Sequence, residues 1–253
     1  MLTHVKECVD TLSYDDMVSS LFSEEKGYYV VDQFLQQQHI VSQMEKEAVY
    51  MQQEGLLTLE TLGTGEYSRL LTGGDSYKDS PRCIEFVVSF TRHLPPLFNK
   101  AIAAVANNGS CALINLDNTA CMGKLLTFDR NAKMASLQLL IGNDATAAAD
   151  LENNPPDSAR PFTCVTENSE IEDARKITAV YFMTDEQWDL TGSDAGITFQ
   201  SAVCKEEYVA PKCDRLVVFQ SDASKHQKEG WKGKVGTEYA SCLMVHLCAE
   251  WGK

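Results

Sequence analysis

The sequence predicts an α+β fold in which an N-terminal helical part precedes a sandwich or jelly roll of short strands. Amphipathic helical patterns fill much of the first 106 residues. Eight strand-like runs separated by turn residues follow, which is typical of a sandwich or jelly roll. The composition, 44% hydrophobic and 23% charged over 253 residues, is that of one large globular domain with extensions.

Residues 1–27 are predicted to be a helical lead-in. Apolar side chains recur there at helical spacing and indicate one or two short amphipathic helices within residues 1–25. The positions are Val5, Cys8, Val9, Leu12, Met17, Leu21 and Phe22.

A strand followed by a helix comes next. The β-branched and aromatic run from Gly27 to Val31 predicts a strand. Asp32 is then expected to start a helix that continues to about Gln53, because apolar residues recur at helical spacing.

A loop and a second helix complete the first half. The stretch from Gly63 to Ser80 is rich in Gly, Ser and Asp and predicts a loop. The Pro95-Pro96 pair predicts a helix start at Leu97, and Asn107-Asn108-Gly109 predicts its end after Ala106.

The remaining half alternates short strand-like runs with turns. A polar break runs from Asp150 to Asp173, contains three prolines and is interpreted as an exposed insertion over residues 153–173. The predicted strands are Ala112–Leu116, Met122–Phe128, Met134–Ile141, Lys176–Met183, Gly196–Phe199, Glu207–Val209, Arg215–Phe219 and Tyr239–Cys248.

Charge and cysteine usage limit the partners and the compartment. The chain carries 22 basic and 36 acidic residues, a net charge of −14, which disfavours nucleic acids and anionic membranes. Nine cysteines without C-x-x-C spacing indicate reduced thiols. Without a long apolar stretch or a signal-like N-terminus, we expect no membrane insertion and an intracellular, reducing location, most simply the cytoplasm.

Several of the strand-like runs resemble a known family. The residues are Ile177–Met183, Trp188-Asp189, Ala195–Ile197 and, above all, the run Asp214–Asp222. They resemble iron- and 2-oxoglutarate-dependent oxygenases of the prolyl 4-hydroxylase type, nearest to the hypoxia-sensing prolyl hydroxylases. The resemblance covers residues 28–249 as one domain and implies a double-stranded β-helix with helices packed on one sheet.

The resemblance also implies a metal site whose residues depart from the family. The family binds Fe(II) with two histidines and one carboxylate. His226 stands in the region of the second histidine, and an ungapped match puts Asp150 at the first histidine and Glu152 at the carboxylate. Counting back from Ile177 instead reaches Cys164 to Asn168, which contains no histidine either.

The cosubstrate site departs further. The family arginine that binds the distal carboxylate of 2-oxoglutarate is matched by Glu238, and two tyrosines by Phe182 and Leu140. Losing the arginine forfeits about 4 kcal/mol at an effective dielectric of 20. His246 follows on the same strand face and offers at most one hydrogen bond.

Two functions follow from these departures. The first is a catalytically inactive relative that needs neither iron nor 2-oxoglutarate and serves as a protein-binding or structural subunit of a larger assembly. The alternative is an active hydroxylase of protein prolyl residues that uses Fe(II), 2-oxoglutarate and a non-standard metal site of Asp150, Glu152 and His226. A third possibility is a module that binds a metal or a small acid without turnover. The simplest interpretation of His246 is a core histidine, and of His226, Asp150, Glu152 and Glu238 solvated side chains.

Overall fold

A seven-stranded antiparallel sheet carries the helices on one face and a three-stranded sheet on the other. This architecture confirms the predicted α+β class. The computed structural model describes residues 1–59, 66–72, 74–106, 114–129, 163–165, 171–173, 175–183, 196–200, 206–221, 224–228 and 239–249.

The helices lie in the first half of the chain, as predicted. Within the described residues, none of them combines the length and hydropathy needed to cross a bilayer. They are α1 (Leu2–Asp10), α2 (Tyr14–Leu21), α3 (Gln38–Gln53), α4 (Asp75–Asp79) and α5 (Pro81–Ala106).

The strands form three antiparallel sheets. The large sheet has the order β1-β10-β7-β12-β4-β3-β2, the small sheet β11-β8-β9, and β5 pairs with β6. The strands are β1 (Tyr28–Val31), β2 (Thr58–Leu59), β3 (Glu66–Leu70), β4 (Leu116–Asp129), β5 (Thr163–Val165), β6 (Ile171–Asp173), β7 (Arg175–Phe182), β8 (Ile197–Gln200), β9 (Glu206–Val209), β10 (Arg215–Gln220), β11 (Lys225–Lys228) and β12 (Tyr239–Ala249).

The two lead-in helices contribute to the main hydrophobic core. Val5 and Val9 of α1 and Met17 and Val18 of α2 are fully buried. The prediction of short amphipathic helices is therefore confirmed. The division between a lead-in at 1–27 and a domain at 28–249 stays a prediction.

An aromatic cluster joins α5 to the large sheet. The ring of Tyr181 on β7 stacks on Phe86 with centroids 4.7 Å apart, and Phe86 stacks on Phe90 at 5.7 Å. Phe34, from the segment between β1 and α3, meets the same three rings edge-on. This cluster fixes which face of β7 points to the helices.

Two predicted helix starts were wrong. Helix α3 begins at Gln38 and not at Asp32, because the intervening loop contains Gln33 and Gln36 with φ of +54° and +53°. Helix α5 begins at Pro81 and continues through Pro95 and Pro96. Its buried apolar stripe runs on past the prolines, so tertiary packing outweighs the two lost backbone hydrogen bonds.

Several loops also hold more structure than predicted. The predicted loop 63–80 contains β3 and α4, the insertion 153–173 contains β5 and β6, and β11 was not predicted. Residues 114–115 are not in a strand, and β4 starts at Leu116. The predicted strand 134–141 lies outside the described residues.

Candidate functional site

The two faces of the large sheet have different roles. On one face Gly123 of β4 lies against Val87 of α5, and Tyr181 of β7 packs on Phe86. On the other face Phe219 of β10 contacts Phe199 of the small sheet, with ring centroids 5.3 Å apart. We call this second face the inner face, because it lies between the two sheets.

Strand register fixes which residues line the inner face. On β12, Cys242 lies opposite Phe182 of β7 on one side and Leu126 of β4 on the other. Two residues further along β12, Met244 lies between Val180 and Lys124 in the same way.

The next inner-face row contains buried polar side chains. His246 of β12 lies opposite Thr178 of β7, and its Nδ1 is 3.0 Å from the Thr178 hydroxyl oxygen. That hydroxyl is in turn 2.7 Å from the Ser221 hydroxyl at the end of β10. All three side chains are buried, and these hydrogen bonds offset the free-energy cost of burying their polar groups.

The centre of the inner face is apolar and covered by protein. Cys242 is 1% exposed, Leu126 2%, Met244 3% and Phe182 4%. None of these side chains carries a charge, and Phe182 has no hydroxyl to offer a carboxylate. Phe182 occupies the position matched to a family tyrosine.

Arg215 of β10, opposite Phe182, is one inner-face cation, and its guanidinium donates to Asp32 and to the Ala210 carbonyl. Lys124 is a second, which sequence reasoning missed. It lies on β4 between Met244 of β12 and Leu70 of β3 and is half-buried. The alternation within Met122–Phe128 already places Lys124 on the same face as Leu126. What the sequence did not reveal is that β4 pairs with β12.

The small sheet covers one end of the inner face. Tyr28 of β1 stacks on Phe199 of β8 with centroids 4.4 Å apart. His226 lies on β11, opposite Phe199 in the backbone register. Its backbone belongs to a strand that was not predicted, and its interpretations as a metal ligand or as a solvated side chain stay predictions.

The other predicted site residues lie outside the described part of the chain. They are Asp150 and Glu152 of the metal site and Leu140 and Glu238 of the cosubstrate site. Among the described residues, no group of three His, Cys, Asp or Glu side chains is placed to hold a metal ion. The Asp150, Glu152 and His226 site therefore stays a prediction.

Asp214 has a structural role that the sequence did not reveal. Its buried carboxylate accepts hydrogen bonds from the Leu35 N–H at 2.7 Å, the Gln36 N–H at 2.8 Å and the Tyr181 hydroxyl at 2.7 Å. Burial raises the pKa of the Tyr181 hydroxyl, and the Asp214 carboxylate raises it further, so the phenol stays protonated and donates. We call this arrangement the Asp214 clamp.

Arg215 extends the clamp at the surface. Its guanidinium donates to Asp32 from Nε at 2.6 Å and from Nη2 at 3.0 Å, which lowers the pKa of the Asp32 carboxyl. The adjacent residues Asp214 and Arg215, which carry much of the family resemblance, thus both hold the segment between β1 and α3.

Comparison with solved structures identifies the fold. A prolyl 4-hydroxylase from Pseudomonas putida superposes with a TM-score of 0.63 at 15% identity, covering 94% of this chain and 99% of the other. The fold is that of the prolyl 4-hydroxylases. The predicted jelly-roll fold and the family resemblance are confirmed at this level.

Two further solved structures that superpose on this chain belong to proteins with different roles. A Trichoplax adhaerens prolyl hydroxylase in complex with a hypoxia inducible factor peptide has a TM-score of 0.55 at 12% identity, covering 98% of this chain and 92% of that one. The epimerase SnoN in complex with Fe³⁺, alpha ketoglutarate and nogalamycin RO has a TM-score of 0.58 at 10% identity, covering 94% and 84%. No family model and no curated protein matches the sequence.

Phe182, a position matched to the family's cosubstrate site, does not fit the distal end of 2-oxoglutarate. A dicarboxylate needs a fixed cation or several donors for that end. Phe182 and its neighbour Cys242 supply neither, and protein atoms already cover both side chains.

Proposed function

We propose that this chain is a catalytically inactive relative of the prolyl-hydroxylase-like oxygenases that serves as a protein-binding or structural subunit of a larger assembly. The supporting observation is the covered, apolar centre of the inner face around Cys242 and Phe182. The fold persists around it, with the Asp214 clamp and the helix-facing core intact.

Energetics support the same proposal. Placing a doubly charged acid against an apolar, buried wall costs several kcal/mol unless each carboxylate is paired. The matched position for the pairing arginine is Glu238, which adds repulsion. The apolar wall and the glutamate at position 238 would each weaken binding of 2-oxoglutarate, and neither effect depends on the metal ligands.

The compartment belongs to the same proposal. We place the protein in a reducing, intracellular environment, most simply the cytoplasm. Six cysteines of the described part of the chain are free thiols, and three of them, Cys83, Cys242 and Cys248, are buried.

Lys124 favours a second candidate function, an active iron- and 2-oxoglutarate-dependent hydroxylase. A half-buried lysine on β4 places a positive charge on the inner face, although on a different strand from the position matched to the family arginine. Its ammonium is a point charge and provides no bidentate fork for a carboxylate.

Anaerobic calorimetry separates the two functions. 2-Oxoglutarate is titrated into the protein with Fe(II) or Mn(II), with SnoN as the positive control because its structure holds iron and alpha ketoglutarate. We expect no metal-dependent binding below millimolar concentration and no succinate release in air. Micromolar binding would overturn the inactive assignment, and its loss in Lys124→Met with retention in Lys46→Met would assign the cation to Lys124.

A further inference from the structure

One exposed face of α5 stands out in an otherwise acidic protein. Val88, Arg92, Pro96 and Lys100 recur every four residues and are all exposed. Residues four apart lie on one side of an α-helix, so these four form a continuous row that we call the α5 ridge.

The charge of the α5 ridge opposes that of the whole chain. The chain has a net charge of −14, yet no acidic residue occurs between Phe86 and Ala106, where Arg92 and Lys100 are both exposed. Within the described part of the chain neither cation forms an ion pair. Two uncompensated cations are thus fixed on a rigid helix.

The start of the α5 ridge is apolar. Val88 is 47% exposed, and so is Leu2 of α1. The Leu2 backbone carbonyl accepts a hydrogen bond at 2.7 Å from the hydroxyl of Ser89, the residue after Val88, so the backbone of α1 reaches α5 at this end of the ridge.

Pro96 removes one backbone donor in the middle of the ridge. Because proline has no N–H, the carbonyl of Arg92 lacks its usual donor four residues further along. Along the helix axis the ridge presents an apolar start at Val88, a cation about 6 Å further on at Arg92 and a second cation about 12 Å beyond it at Lys100.

We propose that the α5 ridge docks an acidic segment of a partner protein, with an apolar anchor against Leu2 and Val88 and carboxylates at Arg92 and Lys100. Charge complementarity favours this partner, because its carboxylates would lie beside the unpaired Arg92 and Lys100. The rest of the chain, with its net charge of −14, would repel the acidic segment and so disfavour other positions on the surface. The inference rests on the proposed binding function, but its test involves neither metal nor 2-oxoglutarate, so the two proposals can fail separately.

The probe is a fluorescein-labelled, alanine-based helical peptide with one leucine and with glutamates four and twelve residues after it. Its binding is measured by fluorescence anisotropy at 50 and 300 mM NaCl. We expect weak, salt-sensitive binding, because exposed charges are screened over about 10 Å at 0.1 M salt. A peptide with glutamine at both acidic positions is the peptide control.

Charge-reversal variants locate the binding. Arg92→Glu with Lys100→Glu is expected to weaken peptide binding at least tenfold. Lys26→Glu with Lys46→Glu, two exposed lysines away from the ridge, changes the net charge equally and is expected to weaken it less than twofold. Circular dichroism checks that both variants are folded.

Other outcomes would overturn the proposal. Equal losses in both variants would show general electrostatic attraction, and no binding of the glutamate peptide would remove the docking surface. A dimer in sedimentation experiments that dissociates only in the ridge variant would assign the ridge to a second copy. Binding to phosphatidylserine vesicles in place of the peptide would assign it to an anionic membrane.

Discussion

Removing the Asp214 carboxylate is expected to destabilise the fold strongly. In Asp214→Ala the Leu35 N–H and the Tyr181 hydroxyl, both buried, lose their acceptor, whereas the N–H of the exposed Gln36 can be rehydrated. Each buried donor left without an acceptor costs about 1–3 kcal/mol. Asp214 also has φ of +58°, where alanine costs about 1 kcal/mol more than aspartate.

These contributions sum to a loss of about 3–7 kcal/mol in the free energy of unfolding. At about 2–4 °C per kcal/mol for a chain of this size, Tm should fall by about 6–28 °C. The assay is urea unfolding followed by far-UV circular dichroism. Asp15→Ala, at an exposed position in the first turn of α2, is the control and should change stability by less than about 1 kcal/mol.

Two companion variants test the mechanism. Asp214→Asn keeps one acceptor and tolerates a positive φ, so its loss should be intermediate. Tyr181→Phe removes a donor without leaving a buried group unpaired and should cost about 1–2 kcal/mol. Combined with Asp214→Ala, it should show a coupling of at least about 1 kcal/mol. The clamp does not hold the segment between β1 and α3 if the free energy of unfolding of Asp214→Ala is within about 1 kcal/mol of the parent's. The same conclusion follows if the coupling between Asp214→Ala and Tyr181→Phe is zero.

Three further predictions concern single contacts. The ion pair between Arg215 and Asp32 should contribute less than about 1 kcal/mol at pH 7, since Asp32 is 41% exposed. The difference in urea unfolding between Arg215→Met and the parent should shrink as pH falls through the lowered pKa of Asp32, and the part due to the bond from Arg215 to the Ala210 carbonyl should remain. A difference that does not change with pH would contradict this. Gly123→Ala should cost about 1–3 kcal/mol, because a Cβ would lie 2.5 Å from Val87, and adding Val87→Ala should restore stability; no effect in thermal unfolding would contradict this. Burial raises the pKa of the Glu47 carboxyl, so the folded state favours its protonated form. The free energy of unfolding of the parent should therefore fall relative to that of Glu47→Gln as pH rises from 4.5 through the raised pKa. Parallel pH profiles of the two proteins would refute this.

The strands of the large sheet were largely predictable from the sequence. The predicted runs Lys176–Met183, Arg215–Phe219 and Tyr239–Cys248 agree with β7, β10 and β12 to within one residue at each end. β-branched and aromatic runs between turn residues give this signal locally. The same local reasoning failed at Pro95-Pro96, because buried contacts on both sides of the prolines keep α5 continuous.

The site was less predictable, because it depends on which strands pair. In the structure His246 and Cys242 lie on the same face of β12, as alternation along a strand requires. The hydrogen bond from His246 to Thr178 and the position of Lys124 beside Met244 both require partners more than 60 residues away in sequence. No local pattern carries that information. The core-histidine interpretation of His246 is supported by its burial.

The strand alternation explains how the fold can persist while the site changes. Tyr181 and Phe182 are neighbours on β7, but Tyr181 faces the helices and donates to Asp214, whereas Phe182 faces the small sheet. A substitution at Phe182 leaves the clamp and the aromatic cluster untouched, since the two side chains lie on opposite faces. Residues that define the fold and residues at the positions of the family site therefore vary independently. That independence is why the Asp214-Arg215 pair can still carry the family resemblance while the matched cosubstrate positions hold Phe182 and Glu238.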